Sequence, residues 1–446
     1  MFYLTYNYVR ISSVSQPPNF STFPFVPNLF ANASINNEGY VDYEGLVGSP
    51  TNYLPPSAIY SGNGSSTPTT LIDTTRYQFT DNTGKTNNSG ILFSPGLNNS
   101  RMSVLAGAGY DFGTAQVNSS GPTAIISVTN GSSINTVAYS STPFVLSALD
   151  PNKSIEDLSN QLGIGSFVSE PGINNGGTIA YVAGNSDGTS AIYTKSSNGA
   201  LATIASTSGN SQFSDFLFGG LDVGRGEGPF AKYTVPDIND TGAVVFNADL
   251  KGGGKGIFVS DGRSLKTIVA ETTSGPYSYF SVPTINNSGV VAFNAGFTTG
   301  KEAIFKSSKG NLTTIADNTS RSIFKDFKSD VALNQQGDVT FLADLKDGST
   351  AIYTWSGTGL HKVIAVGDAL DGSTVTSILI SHKGLNDRGQ IAFDAVLANG
   401  GQEVFRADPA FAPNLSSVSS FSSLGLAIFC IVGYYWSRRK QYKDGF

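Results

Sequence analysis

One phrase recurs along the chain and constrains its fold more than any other feature. The clearest copy is INNSGVVAFNA at 285–295. Its relatives are INDTGAVVFNA (238–248), LNQQGDVTFLA (333–343), LNDRGQIAFDA (385–395), INNGGTIAYVA (173–183) and INNEGYVDYEG (35–45). The shared pattern is Asn-x-x-Gly-x-x-Ala-Phe after an apolar residue. An asparagine side chain can hydrogen-bond its own backbone two residues on, and glycine tolerates positive φ. The pairs Asn36 and Gly39, Asn174 and Gly177, Asn239 and Gly242, Asn286 and Gly289, Asn334 and Gly337, and Asn386 and Gly389 therefore predict a tight turn in each copy. After the glycine the residues alternate as in a strand. Val291, Phe293 and Ala295 share one face, and Val290, Ala292 and Asn294 the other. A large ring followed by a small residue returns as Phe246 and Ala248, Phe341 and Ala343, Phe393 and Ala395, and Tyr181 and Ala183. That register implies a repeated packing slot. The second face is small or mixed (Ala292, Ala392, Val245, Thr340), so both faces read as covered, as in stacked blades.

Each phrase has a second half. AIYTKSSNGALATIA (191–205), GIFVSDGRSLKTIVA (256–270), AIFKSSKGNLTTIAD (303–317) and AIYTWSGTGLHKVIA (351–365) each read as strand, glycine-containing turn, strand. An aromatic-rich strand follows, as in IFKDFKSDVA (323–332). A full repeat is thus four short strands. Asn239 to Asn286 is 286 − 239 = 47 residues, Asn286 to Asn334 is 334 − 286 = 48, and Asn334 to Asn386 is 386 − 334 = 52. These match the ~40–50 residues of propeller repeats. Between the first phrase and Asn174 the pattern weakens. TNNSGILFS offers Asn87, and VNSSGPTAIIS offers Asn118 after only 118 − 87 = 31 residues. Residues 87–117 therefore read as a strand-deficient unit. The count is eight phrases, or seven if 87–173 is one expanded repeat. The last repeat is half a blade, and the alternating FYLTYNYVR at the N-terminus supplies its missing half. Pairing the two ends would remove the exposed edges of an open array. The expectation is an all-β fold: a β-propeller of seven or eight four-stranded blades over 1–408, closed by N-terminal strands.

The C-terminal segments differ in composition. Residues 409–417 read as a linker. Residues 418–436 carry no charge and approach the ~20 residues of a membrane span. Arg438, Arg439 and Lys440 follow at once, and Tyr434, Tyr435 and Trp436 suit an interfacial belt. The expectation is a transmembrane helix with residues 437–446 as a basic cytoplasmic tail and the repeats outside. The opening residues do not read as a secretory leader, having no basic start followed by an apolar core.

Composition narrows the chemistry. Charged residues are 13% of the chain, against ~25% in typical domains. The net charge of −6 argues against a broad nucleic-acid-binding face. Cys430 is the single cysteine, which excludes an intrachain disulfide. With two histidines, His361 and His382, a zinc site or a Cys/His nucleophile has little to build on. No cofactor is expected. The repeated asparagines read as turn formers rather than as a ligand-lined channel. Asp249, Asp344 and Asp394 read as solvated strand-end acids; calcium ligation is the alternative chemistry. The histidines read as two unrelated surface residues. GRGEG (224–228), in the longest insertion, is the best place for a binding loop. No acid keeps a fixed register through most repeats, which favours a binding role over a propeller hydrolase or lyase acting on carbohydrate or phosphate esters.

With these motifs on the page, residues 35–408 resemble the bacterial choice-of-anchor proteins with tandem NxxGxxAF repeats. The tail is similar to a PEP-CTERM sorting signal, with Ala412-Pro413-Asn414-Leu415 where that signal has Pro-Glu-Pro. The resemblance implies a surface location and a membrane partner at the C-terminal helix. An extracellular glycan or protein ligand is the expected binding partner.

Overall fold

The computed structural model describes residues 2–14, 33–46, 57–73, 78–80, 86–109, 120–121, 123–129, 133–139, 144–145, 170–184, 189–216, 234–271, 274–328, 331–357 and 359–413. The chain forms two compact units, residues 7–408 and residues 1–6 with 409–446. Within the smaller one, the Thr5 hydroxyl donates to the Ala410 carbonyl (3.2 Å).

The larger unit is a seven-bladed β-propeller, the lower of the two expected counts. Blade five shows the unit most plainly. Its inner strand is broken into Tyr277–Phe280 and Thr284–Ile285. Val291–Phe297, Glu302–Ser308 and Asn311–Asp317 follow outward, each antiparallel to its neighbour. Blade one runs from Ser34 to Asp73, blade two from Gln78 to Tyr139 and blade three from Gly172 to Ser206. Blade four runs from Phe213 to Glu271 and blade six from Phe324 to Ala365. Blade seven combines Ser373–Leu379, Ile391–Leu397 and Gln402–Pro413 with Phe2–Val14 as its outer strand, so the N-terminal strand does complete the last blade. The strand Gln402–Pro413 runs into the segment read as a linker from 409, because pairing in this sheet continues there.

Packing follows the large-then-small register. Val291, Phe293 and Ala295 turn to blade four, where Val245 and Ile257 meet them. On the opposite face, Ala292, Ile304 and Ala316 receive Phe324, Phe327 and Phe341 of blade six. These interfaces set rings from one blade into the smaller face of its neighbour, the interdigitation that native packing density requires. The rings also pair across strands within a blade. Directly opposed pairs are Tyr43–Tyr60, Tyr181–Tyr193, Phe246–Phe258, Phe293–Phe305, Phe341–Tyr353 and Phe393–Phe405, with centroids 5.5–6.3 Å apart. Blade two puts Leu105 and Ile126 in that slot.

Closure has its own fastening. Arg406 of blade seven donates to the carbonyls of Gly39 (2.8 Å) and Asn63 (3.1 Å) on two turns of blade one, held by paired bonds to Asp408. Lys306 makes the corresponding bond from blade five to Gly337 of blade six, two blades earlier in the ring (3.2 Å), and lies over the Trp355 ring.

The slot predicts a sharp contrast between two apolar truncations in blade five. Phe293 is fully buried, so Phe293→Ala should cost about 3–5 kcal/mol. Leu312 on the outer strand is 40% exposed, and Leu312→Ala should stay within about 0.5 kcal/mol of wild type. Urea midpoints of the two variants check this.

Candidate functional site

The seven inner turns gather round the propeller axis. In blade five the Asn286 N–H donates to Val290 O (3.0 Å) and the Gly289 N–H to Asn286 O (2.9 Å). Gly289 has φ +71°, the left-handed residue that ends a three-residue hairpin loop. The Asn286 Oδ1 accepts the N–H groups of Ser288 and Val290, both at 3.0 Å. This is the turn anticipated from the sequence, and its glycines at 39, 177, 242, 337 and 389 all have positive φ.

Blade two carries the same turn at a place the sequence reading missed. Asn98 Oδ1 accepts Ser100 N and Met102 N, and Arg101 stands in the glycine position with φ +58°. The Arg101 guanidinium stacks over the Tyr40 ring of blade one at 3.9 Å, an attraction that offsets the left-handed strain. Asn87, offered instead as a turn former, lies inside the strand Thr86–Leu97 opposite Phe79, while Asn118 lies outside the described residues.

The asparagines do more than form turns. Each side-chain amide also reaches the next blade. Asn36 Nδ2 donates to Asn98 O (3.3 Å), Asn98 to Asn174 O (3.1 Å), and Asn174 to Asn239 O (3.0 Å). Asn239 donates to Asn286 O (3.0 Å), Asn286 to Asn334 O (3.1 Å), and Asn334 to Asn386 O (3.3 Å). Asn386 donates to Asn36 O (2.8 Å), and the circle closes. All seven side chains are buried, at 2–7% exposure.

A second circle uses the residue after each asparagine. The N–H of Asn37 donates to the side-chain oxygen of Asn99, that of Asn99 to Asn175, and that of Asn175 to Asp240. The N–H groups of Asp240, Asn287, Gln335 and Asp387 donate in turn to Asn287, Gln335, Asp387 and Asn37. These bonds are 2.8–2.9 Å long. Burial pushes the Asp240 carboxyl up, but bonds from the Asn175 backbone and side chain and from Asn287 outweigh it and hold the group below the usual carboxylate range.

Inside the circles lies a polar cavity of about 150 Å³. Lys383, in the turn that follows the inner strand of blade seven, crosses it. Its Nζ donates to the Pro171 carbonyl of blade three (2.7 Å). A Cβ on Gly96 of blade two would sit 3.0 Å from that Nζ, a tight contact that a larger residue would make only by shifting the lysine. Burial lowers the Lys383 ammonium against the favourable charges of Glu170 and Asp237. Asp237 is raised by burial, opposed by bonds from Ile285 N and Thr284 Oγ1 (both 2.9 Å) and by Lys383. His382 lines the same cavity. Burial, then the Lys383 charge, pushes its imidazole well below its ordinary value.

Two of the sequence expectations are corrected here. His382 is not on the surface but 8% exposed, because the turn after the strand Ser373–Leu379 carries it to the axial cavity; His361 lies apart from it on an outer strand. Asp394 is not a solvated strand-end acid. Its strand continues to Leu397, and the carboxyl is 6% exposed, with neither oxygen hydrogen-bonded. Burial raises it well above the usual range, and burial followed by Glu170 and Asp394 does the same to Glu44. Asp344 instead pairs with Lys328 (2.8 Å), and Asp249 is half-buried and raised by burial. Among the described residues no group of three or more histidine, cysteine or acidic side chains is arranged to hold a metal. The loop 224–228, the apolar stretch 418–436 and Arg438, Arg439 and Lys440 lie outside the described residues. No helix among the described residues is long and apolar enough to cross a membrane.

The fold and its circles define a seven-bladed propeller whose axial face is a hydrogen-bonded platform. The chain belongs to the family of unknown function DUF7453, whose profile matches residues 153–417. No curated protein matches it. Among solved structures it is similar to the Pyrococcus horikoshii acylaminoacyl peptidase, at 11% identity and TM-score 0.44, over 76% of this chain and 45% of that one. It is also similar to apo prolyl oligopeptidase B from Galerina marginata, at 10% identity and TM-score 0.44, over 82% and 47%. A third is YCF48 bound to D1 peptide, at 12% identity and TM-score 0.38, over 92% and 98%. The chain spans about half the length of the two peptidases.

Two predictions follow from this geometry. Asn286→Ala orphans the N–H groups of Ser288 and Val290 and removes the bond to Asn334. The buried Asn334 carbonyl loses that donor, while the N–H groups of exposed Ser288 and half-buried Val290 can turn to water, so the loss should be about 1–3 kcal/mol, read by urea unfolding. Asp394 gives a pH effect. Its native carboxyl keeps a proton that the unfolded chain releases near an ordinary pKa of about 3.9, so its contribution favours folding below that value. The contribution is lost as pH rises toward the elevated native value. Asp394→Asn removes that slope. The variant should therefore gain on wild type as pH goes from 4 to 8, measured as the difference in urea midpoints.

Proposed function

We propose that this chain is a non-enzymatic binding scaffold, anchored in a membrane by residues 418–436 with its propeller outside the cytoplasm. Its partner is a glycan, protein or matrix component met on the axial turn face. The observation that carries this reading is the double circle. It holds amide and carboxylate side chains of all seven blades in one closed circle, where a ligand can bind without first ordering them. Support for the anchor comes from the uncharged run 418–436 followed by Arg438, Arg439 and Lys440, and from the resemblance to choice-of-anchor repeat proteins. A propeller hydrolase or lyase acting on extracellular carbohydrate or phosphate ester is the second reading. It rests on Glu44, whose carboxyl is raised by burial and then by the nearby acids Glu170 and Asp394.

Location is tested with a non-permeant protease on intact cells and an antibody to blade five. Loss of the epitope supports display outside the membrane; protection in cells that hold the full-length chain overturns it. Function is tested by retaining defined polysaccharides on the immobilised full-length protein. Retention without cleavage is expected, and Asp240→Ala should weaken it at least tenfold by unclamping Asn175 and Asn287. Release of shortened chains would favour the enzyme.

A further inference from the structure

We propose that the axial cavity is a subsite for one neutral, polyhydroxylated ring of hexose size, a reading that deepens the scaffold role above and rests on it. Size is the first argument. About 150 Å³ is on the order of five times the ~30 Å³ share of a liquid water, and smaller than the ~300 Å³ at which drug-sized sites begin. A single ring-sized ligand fits that scale, and a peptide or nucleotide does not.

Charge is the second. Asp240 and Asp387 stand at the mouth and Asp237 in the wall, so an anionic ligand meets like charge on entry. Lys383 spans the floor, so a cationic one meets like charge at the end. A hydroxyl both donates and accepts, and can satisfy either neighbour without a net charge of its own. The ammonium has three N–H groups, of which Pro171 takes one.

The third argument is a group that still has bonding capacity. His382 lines the cavity, is 8% exposed, and its Nε2 has no hydrogen-bond partner. Buried polar atoms are ordinarily bonded, so one left over beside a cavity points to a ligand atom.

The chain has two histidines, which makes the test direct. Full-length protein with labelled imidazoles is titrated with glucose, galactose and mannose, then with glucosamine and glucuronate as cationic and anionic counterparts. At least one neutral hexose should shift the His382 resonances saturably and leave His361 still. Its charged counterparts should bind at least tenfold more weakly, and so should the hexose to Lys383→Met. A silent His382 with every neutral hexose overturns the proposal, as does equal or tighter binding of a charged counterpart. Because the His382 readout uses the wild-type chain, misfolding of Lys383→Met cannot hide a failure. If His382 stays silent while polysaccharide is still retained on the immobilised protein, the subsite falls and the scaffold stands. If polysaccharide is not retained either, both fall.

Discussion

The circle of asparagine side chains is the bond on which this propeller depends. One planar amide ties each turn to itself and to its neighbour. Its oxygen takes N–H groups of its own turn, two in blade five and one in blades three and six, and its nitrogen reaches the carbonyl of the next turn. Aspartate would lack the donor, serine would lack reach for both, and glutamine would place the amide one carbon too far out. Local turn and blade order are therefore set by the same side chain. A propeller blade cannot bury its faces alone, and neighbours supply the rest. Here each neighbour also completes a buried polar group whose loss would cost ~1–3 kcal/mol. Asn386 donating to Asn36 leaves no first or last member.

Hydrophobic packing and this circle act at different radii and agree with each other. Near the axis the amides set the angle from blade to blade. Farther out, Phe293 and its equivalents set the spacing by filling the small face of the blade before. The cationic side chains Lys306 and Arg406 tie the next blade's turn carbonyl to this layer. Arg406 reaches two turns of blade one from the strand that pairs with the N-terminal strand, so the blade in which the chain ends meet is also tied to its neighbour.

The repeat was legible where three features coincided: asparagine, glycine three residues on, and a ring in the strand. Blade two keeps only the first. Arg101 replaces the glycine and Leu105 the ring, so attention went to Asn87, which has its glycine but sits within a strand. A better signal was present. PGLNN at 95–99 matches PGINN at 171–175 almost residue for residue, and LNNS at 97–100 matches INNS at 285–288. Tyr40, whose ring supports Arg101 in its left-handed conformation, lies in another blade, so no local reading could find the compensation. The bonds between asparagines were equally out of reach, since they join residues 47 to 350 positions apart. Burial of His382 and Asp394 depends on where the turn after Leu379 leads and how far a strand runs, neither of which the motif states.

The same comparison separates scaffold from site. At the position after each asparagine the chain places Asn37, Asn99, Asn175, Asp240, Asn287, Gln335 and Asp387. All are side-chain acceptors, because the second circle needs an acceptor there and nothing more. One residue before the asparagine every copy is isoleucine or leucine. Two to four residues before it the agreement ends. The equivalents of Asp237 include Gly96, Gly172, Thr284 and Gly384; that of Lys383 is proline in four blades; those of His382 include Glu170 and Val282. Symmetry explains the circles but not these substitutions. A buried lysine placed where most blades have proline costs desolvation, and three sites of this kind converge on one cavity. Residues that a sevenfold scaffold does not require, kept where burial makes them expensive, are where this propeller departs from architecture and takes on chemistry.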